Sequence, residues 1–483
     1  MCCAVLVSTT WVRFFFWLYL LFLVWAEATV TNPADPDLWH RLTLGEYLWQ
    51  NGHFPAGDQF SYLSDYKYVA DHEWGSALIF FWLYRAGGPS AMVALKLITL
   101  TVTLALLVWA GLQHRRPTLL NAFFYALVLL ALLPSFGSTV RCMVFTHIFF
   151  ALWLYWFQRE RHGWVVPTFL YPLTMVVWAN LHGGFAIGLA WLLMVGGVEL
   201  MYGGEWRKWM IRLGLSTAVT LINPFGWRLW YSTARALVTT REGFKEWAPV
   251  SWWSHPLDYP GYKLMLLGVI AGLAIALYRR GWKQMDQPVM ILLGFFMVLS
   301  LTSARHTSLF GLVAGALVPG LFPSEPEVEE MDDPLQRLGS MAFYSALVLI
   351  PLYSAMIVLP GMGLQLEYPS IDCPVKAVAY LQRENIQGKL LVPFNYGSYA
   401  MWELRGRMRV SMDGRYDLVY SAETYRRVDD FYFGRGNWKS LLSDPKPDAI
   451  LVPQDDDVYR KLLAQPDWRE AWRDSVDAVF LPR

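Results

Sequence analysis

The sequence is poor in charge. Only 16% of its 483 residues are Asp, Glu, Lys or Arg, and 40 cationic against 39 anionic side chains leave a net charge of +1. Soluble domains carry about 25% charge, so a soluble class is excluded for most of the chain. The missing basic surplus argues against a nucleic-acid partner. Cysteine is scarce too: Cys2, Cys3, Cys142 and Cys373 form no CxxC pair and imply neither a disulfide nor a zinc site. With no GxGxxG fingerprint and no P-loop, a nucleotide site has no support. Internal repeats and low-complexity tracts are absent as well.

What fills the chain is apolar: 55% hydrophobic residues, including 25 Trp. Runs near 20 residues, the length that crosses a bilayer core of about 30 Å, recur along the first 360 positions. Hydropathy predicts about eleven transmembrane helices, near 11–28, 90–112, 118–135, 143–158, 164–179, 184–202, 209–222, 262–278, 288–302, 307–322 and 340–360. The fold class expected is a polytopic α-helical membrane protein. A transmembrane domain covers 1–362 with a first external loop at 29–89, and a soluble α/β domain covers 363–483.

Loops carrying Arg115-Arg116, Arg159 and Arg161, Arg207-Lys208 and Arg279-Arg280 alternate with loops carrying the unusual polar motifs. The positive-inside rule makes the first set cytoplasmic. The N-terminus is then inside and the C-terminal domain outside, provided that Ala77–Arg85 closes the first external loop without crossing. The segment from Trp11 to Ala26 reads as an uncleaved first span. A secretory signal, with Arg13 and Ala26-Glu27-Ala28, is the alternative. The acidic stretch at 324–333 reads as a solvated cytoplasmic loop.

All the rare ionisable clusters fall on the external side: Asp35-Pro36-Asp37, Asp71-His72-Glu73, Arg141, His182, and Arg305-His306. Ionisable groups beside hydrocarbon are costly, so a one-sided collection reads as a site. Asp35-Pro36 has the form of a helix start, Asp as N-cap and Pro in the first turn, and Asn51-Gly52 of a helix stop. Asp35 thereby has a structural role. Asp37, in the first turn, is kept ionised by the helix dipole and is placed to take a proton from a hydroxyl. Alternatively, it only complements the dipole or pairs with Arg41 four residues on. His72 and Glu73 read as a second acid–base pair or, with Asp71, as ligands of a divalent metal such as Mg or Mn. The competing reading is a capping run with Asp71 as N-cap.

The segments Asp35-Pro36-Asp37-Leu38-Trp39-His40, Asp71-His72-Glu73-Trp74, Asn180-Leu181-His182-Gly183-Gly184, Asn223-Pro224-Phe225-Gly226-Trp227 and Asp413-Gly414-Arg415-Tyr416, with the overall layout, resemble the GT-C superfamily of integral-membrane glycosyltransferases. The nearest likeness is to its bacterial dolichyl-phosphate-mannose–protein mannosyltransferase-like members. The chain departs from the best-known mannosyltransferases in having no plain Asp-Glu pair in the first loop. The resemblance implies a bacterial plasma membrane and a sugar donor carried on a polyprenyl phosphate. It also implies a lipid-linked glycan or protein acceptor, and inversion with Asp37, or failing that Asp35, as base. Arg141 and Arg305 are placed to meet the lipid phosphate, His306 adds a titratable neighbour to Arg305, and His182 is placed to reach the phosphate or a metal. Headgroup snorkelling, and structural roles for the two histidines, remain open for them.

From Pro374 the pattern turns soluble. Lys376–Arg383 has helical spacing, while 389–393, 409–412, 449–452 and 478–481 read as short buried strands of a mixed or parallel sheet. Asn395, Asp413 and Arg415 follow strand ends, where ligands often bind, and are the candidates for acceptor recognition. Ordinary turn chemistry is the alternative. Two other functions stay open: a flippase for lipid-linked glycans, and a non-catalytic scaffold that binds a partner through the C-terminal domain.

Overall fold

A computed structural model describes residues 9–29, 32–66, 70–113, 115, 117–136, 140–238, 245–322 and 363–483. Ten of the expected spans coincide with helices: α1 (Thr9–Thr29), α3 (Trp74–Leu112), α4 (Leu119–Phe136), α5 (Met143–Arg161), α6 (Leu170–Leu181), α7 (Phe185–Met201), α8 (Trp206–Val219), α10 (Pro260–Arg280), α11 (Gln287–Thr302) and α12 (Thr307–Leu321). The eleventh, near 340–360, and the acidic stretch lie outside the described residues. Between α1 and α3 stands the loop helix α2 (Pro36–Asn51), and α9 (Arg228–Val238) follows α8. Among the described residues, α3 and α10 are long and apolar enough to cross a bilayer, and shorter apolar helices pack beside them.

Helix α3 is two helices in one. Gly88 interrupts it with φ 60° and ψ −151°, a conformation open to glycine, and Pro89 starts the second half. The first half belongs to the loop, because α2 lies on it so closely that a side chain at Gly45 would collide with the Ala77 carbonyl and Phe81. The break falls where the expected closing helix gives way to the expected span.

The bundle has two distinct ends. Helix α12 begins beside the turn 303–306, which docks on 246–248 through Ser303 Oγ to the Glu246 carbonyl, 2.9 Å, and Ala304 N to the Ala248 carbonyl, 2.9 Å. Its last carbonyls receive arginines: Arg115 at Pro319 and Phe322, 3.0 and 2.8 Å, and Arg280 at Leu321, 3.1 Å. The basic loops therefore gather at one end of the helices and the polar motifs at the other.

The C-terminal domain sits at the polar-motif end. Its five strands, β1 (Gly388–Leu391), β2 (Met408–Val410), β3 (Ala449–Pro453), β4 (Trp468–Arg473) and β5 (Asp477–Pro482), run in the order β2-β1-β3-β5-β4. The pairs β1–β2 and β1–β3 are parallel, while β3–β5 and β5–β4 are antiparallel. The sheet is mixed, one of the two arrangements its pattern allows. Strand β4 escapes that pattern because its middle residues are only half-buried.

Alternating residues split the sheet between two cores. Leu390, Val392, Val410, Leu451 and Val479 join α13 (Val375–Arg383) and α14 (Phe394–Glu403) in a core continuous with that of the bundle. Leu391, Met412, Ile450, Val452 and Phe480 face a separate core with α15 (Ala422–Tyr432) and α16 (Asp457–Leu463). Asn395, expected in a turn after a strand end, is instead in the first turn of α14. Gly397 fits there because its bare α-carbon lies against the Met412 carbonyl.

Candidate active site

The first loop and the C-terminal domain are one structure. Residues 60–62 add to the free edge of β2, with Tyr62 N to the Val410 carbonyl at 3.0 Å and Val410 N to the Phe60 carbonyl at 3.1 Å. Arg405 pairs with Glu46 of α2 at 2.7 Å, and Trp39 of α2 stacks on Tyr368 and meets Tyr399 edge-on. Arg415 forks onto Asp58 at 2.9 and 3.1 Å and onto Asp413 at 2.7 and 2.6 Å, and Tyr420 donates to the same Asp413 at 2.6 Å. Burial pushes the Asp413 carboxyl up, but Arg415 more than offsets this and leaves it at about 2. Asp413 and Arg415, candidates for acceptor recognition, are thus both buried in a clamp on the first loop. Asn395 is exposed on the first turn of α14.

At the start of α2 the two aspartates differ sharply. Asp35 is the N-cap, its Oδ1 accepting the Asp37 N–H at 3.0 Å, and its Oδ2 accepts the Nε–H of Arg141. Its side chain is 1% exposed. Arg141 continues to Glu246 at 2.9 Å. The Asp37 side chain is 54% exposed and, among the described residues, accepts no such cation. Desolvation at the start of α2, reinforced by the negative charge of Asp35, pushes its pKa up to about 7 against Arg141 and Arg41.

Arg41 does not pair with Asp37, the partner its spacing suggests. It turns to the other cluster, binding Asp71 and, at 2.6 Å, Glu73. Asp71 is also not the cap of the next helix. Its Oδ1 accepts the Glu73 N–H at 2.8 Å, and Glu73 occupies the cap position of α3 with no side-chain cap bond. His182 closes the network. Its Nδ1 accepts from Gly184 N at 2.9 Å and lies 2.7 Å from Thr146 Oγ1, so the ring proton sits on Nε2, aimed at Glu73 3.3 Å away. Burial brings the His182 pKa down to about 4 despite Glu73. His182 is therefore neutral, with Nε2 beside Glu73. His72 packs against Gly183 and lies 3.9 Å from Glu73. Among the described residues no three His, Cys, Asp or Glu side chains converge as a metal-ligand set, and the carboxylates of Asp71 and Glu73 face Arg41.

The remaining cation, Arg305, lays its guanidinium over the Trp247 ring at 4.5 Å, next to Glu246, and His306 is 3.1 Å from Thr302 Oγ1. Arg141 and Arg305 thus flank one short segment, 246–247. Asp37, His72, Glu73, Arg141, His182 and Arg305 all belong to this end of the bundle.

Sequence reasoning missed His40, Ser398 and Gly414, which lie below Asp37. A methyl group built on Gly414 would stand 2.8 Å from Asp37 Oδ1, 3.0 Å from Ser398 Oγ and 3.2 Å from His40 Nδ1. His40 looks like one more buried residue of an interfacial helix. Only the docking of a domain some 360 residues away gives it a role.

No family model and no curated protein matches the sequence. Solved structures do. ArnT from Cupriavidus metallidurans, in the apo state and bound to undecaprenyl phosphate, superposes with TM-scores of 0.55 and 0.53 at 14% identity over 98% of both chains. The arabinofuranosyltransferase AftD from Mycobacteria matches with a TM-score of 0.53 at 14% identity. There the chain is covered to 98% but spans only 40% of AftD. At this identity the likeness is one of fold, and it agrees with the resemblance drawn from the motifs: the chain has the fold of the GT-C glycosyltransferases.

Proposed function

We propose that this protein transfers a sugar from a polyprenyl-phosphate donor to an acceptor hydroxyl at the outer face of a membrane, with inversion and with Asp37 as the base. The observation that carries this reading is the contrast between the aspartates. Asp35 is engaged by its cap and by Arg141, whereas Asp37 presents a solvent-accessible carboxylate. A base is most effective with a pKa near the working pH, and about 7 meets that condition.

In the reaction, Asp37 takes the acceptor's hydroxyl proton while the acceptor oxygen bonds to the anomeric carbon. The bond from that carbon to the phosphate oxygen breaks on the opposite face, and the polyprenyl phosphate leaves with the bonding pair. Arg141 and Arg305 supply positive charge for the departing phosphate. The undecaprenyl phosphate bound to ArnT supports a donor of this class. The basic loops at the far end of the bundle favour a cytoplasmic N-terminus, with the first loop and the C-terminal domain outside.

The test is transfer of radiolabelled sugar from a panel of polyprenyl-phosphate donors in proteoliposomes, with lipid and protein acceptors from the host. Transfer from one donor supports the reading. None from any donor, with folded protein, sinks it in favour of transport or a scaffold.

A further inference from the structure

Beneath Asp37 lies a histidine that the reaction above does not use. His40 is buried, with Nδ1 3.4 Å from Ser398 Oγ and 3.9 Å from Asp37 Oδ1, while Nε2 is buried without a hydrogen-bond partner. Two neutral tautomers are available. With the proton on Nε2, Ser398 can donate to Nδ1, but a buried N–H is left without an acceptor. With the proton on Nδ1, only a lone pair is unpartnered, and the N–H points between two oxygens. The second arrangement costs less, because an unmet buried donor is the more expensive loss. Ser398 Oγ already accepts Gly414 N–H at 2.9 Å, so its oxygen and that of Asp37 compete for the same proton.

We infer that His40 is a positioning residue for the base: its Nδ1–H is shared between Ser398 of the C-terminal domain and Asp37, and it moves onto the Asp37 carboxylate when substrate aligns it. The 3.9 Å separation is the loose geometry expected of an unliganded site, which tightens in the reacting complex. A donor to the charged form of a carboxyl lowers its pKa. His40 thereby opposes the desolvation that raises Asp37, and the C-terminal domain adjusts the base through one hydroxyl. The charged neighbours of Asp37 are Asp35 and Arg41 on its own helix, Arg141 before α5 and Glu73 at the start of α3. Those of His40 are Arg41, Asp71, Asp413 and Arg415. None of these is removed by the variants below.

The inference rests on Asp37 being the base, so the test reads Asp37 both with and without turnover. Infrared titration of the full-length protein follows the Asp37 carboxyl band, identified by its loss in Asp37→Asn. The pH dependence of transfer is measured in parallel. His40→Leu removes the donor and is expected to raise both midpoints by about one pH unit. His40→Asn places an amide N–H where Nδ1 was and is expected to restore them. Ser398→Ala leaves the N–H to Asp37 alone and is expected to move them the opposite way. A band midpoint that stays put in His40→Leu and Ser398→Ala overturns the inference. Shifted midpoints in a protein that transfers no sugar keep it and sink the glycosyltransferase reading instead.

Discussion

Gly414 of the C-terminal domain lies directly against Asp37 of the first loop: a methyl group on its α-carbon would stand 2.8 Å from the carboxylate oxygen. The C-terminal domain therefore touches the aspartate proposed as the base. Gly414→Ala should displace Asp37, His40 or Ser398 by a few tenths of an ångström. The expected outcome is a fall in transfer of at least about tenfold with little change in thermal stability. An unaltered rate would show that the domain leaves the base untouched.

Removing Arg41 should unfold more than it inactivates. It is the cation that balances buried Asp71 and Glu73. Arg41→Met is expected to cost about 3–5 kcal/mol, measurable as a large drop in the denaturation midpoint. Burial raises the Glu73 carboxyl, but Arg41 more than offsets this and brings it below the ordinary carboxylate range. Its contribution to stability is therefore complete above about pH 5 and is lost as the pH falls through that range. Arg41→Met should abolish this part of the acid dependence.

The clamp of Arg415 on Asp58 and Asp413 joins the domain to the first loop. Arg415→Ala leaves two buried carboxylates without their cation and is expected to cost about 3–5 kcal/mol. Proteolysis should then cut the loop at 54–66, because its strand pairing with Val410 would open. A loop equally resistant in the variant would contradict this account of the junction.

Transfer should rise with pH through about 7. Asp37 accepts a proton only when ionised, and its desolvation, with the charge of Asp35, places its pKa there. Rates measured from pH 5 to 9 should show an acidic limb with that midpoint in the free protein. A profile flat down to pH 5 would assign the base to a group of ordinary acidity.

The long apolar helices and four of the five strands are legible in the sequence because lipid and a buried sheet demand continuous apolar runs, whereas α9 and α14 carry no such run. The cap at Asp35 and the stop at Gly52 are local chemistry and read directly; Gly52 has φ 69°. The pairing of Arg41 with Asp71 and Glu73 in place of Asp37 could not be read. It depends on where α2 lands on α3, a tertiary fact set by the glycine at 45. The mutual engagement of Arg415, Asp413 and Asp58 was hidden for the same reason, since Asp58 lies some 357 residues away in the chain. His40 and Ser398 carry no motif, and only their meeting defines them.

The most direct test of the account compares sugar transfer by Asp37→Asn and Asp35→Asn with wild type in proteoliposomes charged with the active donor. Asparagine still caps a helix, so Asp35→Asn should fold and keep a measurable fraction of transfer, while Asp37→Asn should fold as wild type and lose it. Transfer retained in Asp37→Asn and lost only in Asp35→Asn would contradict the assignment of the base.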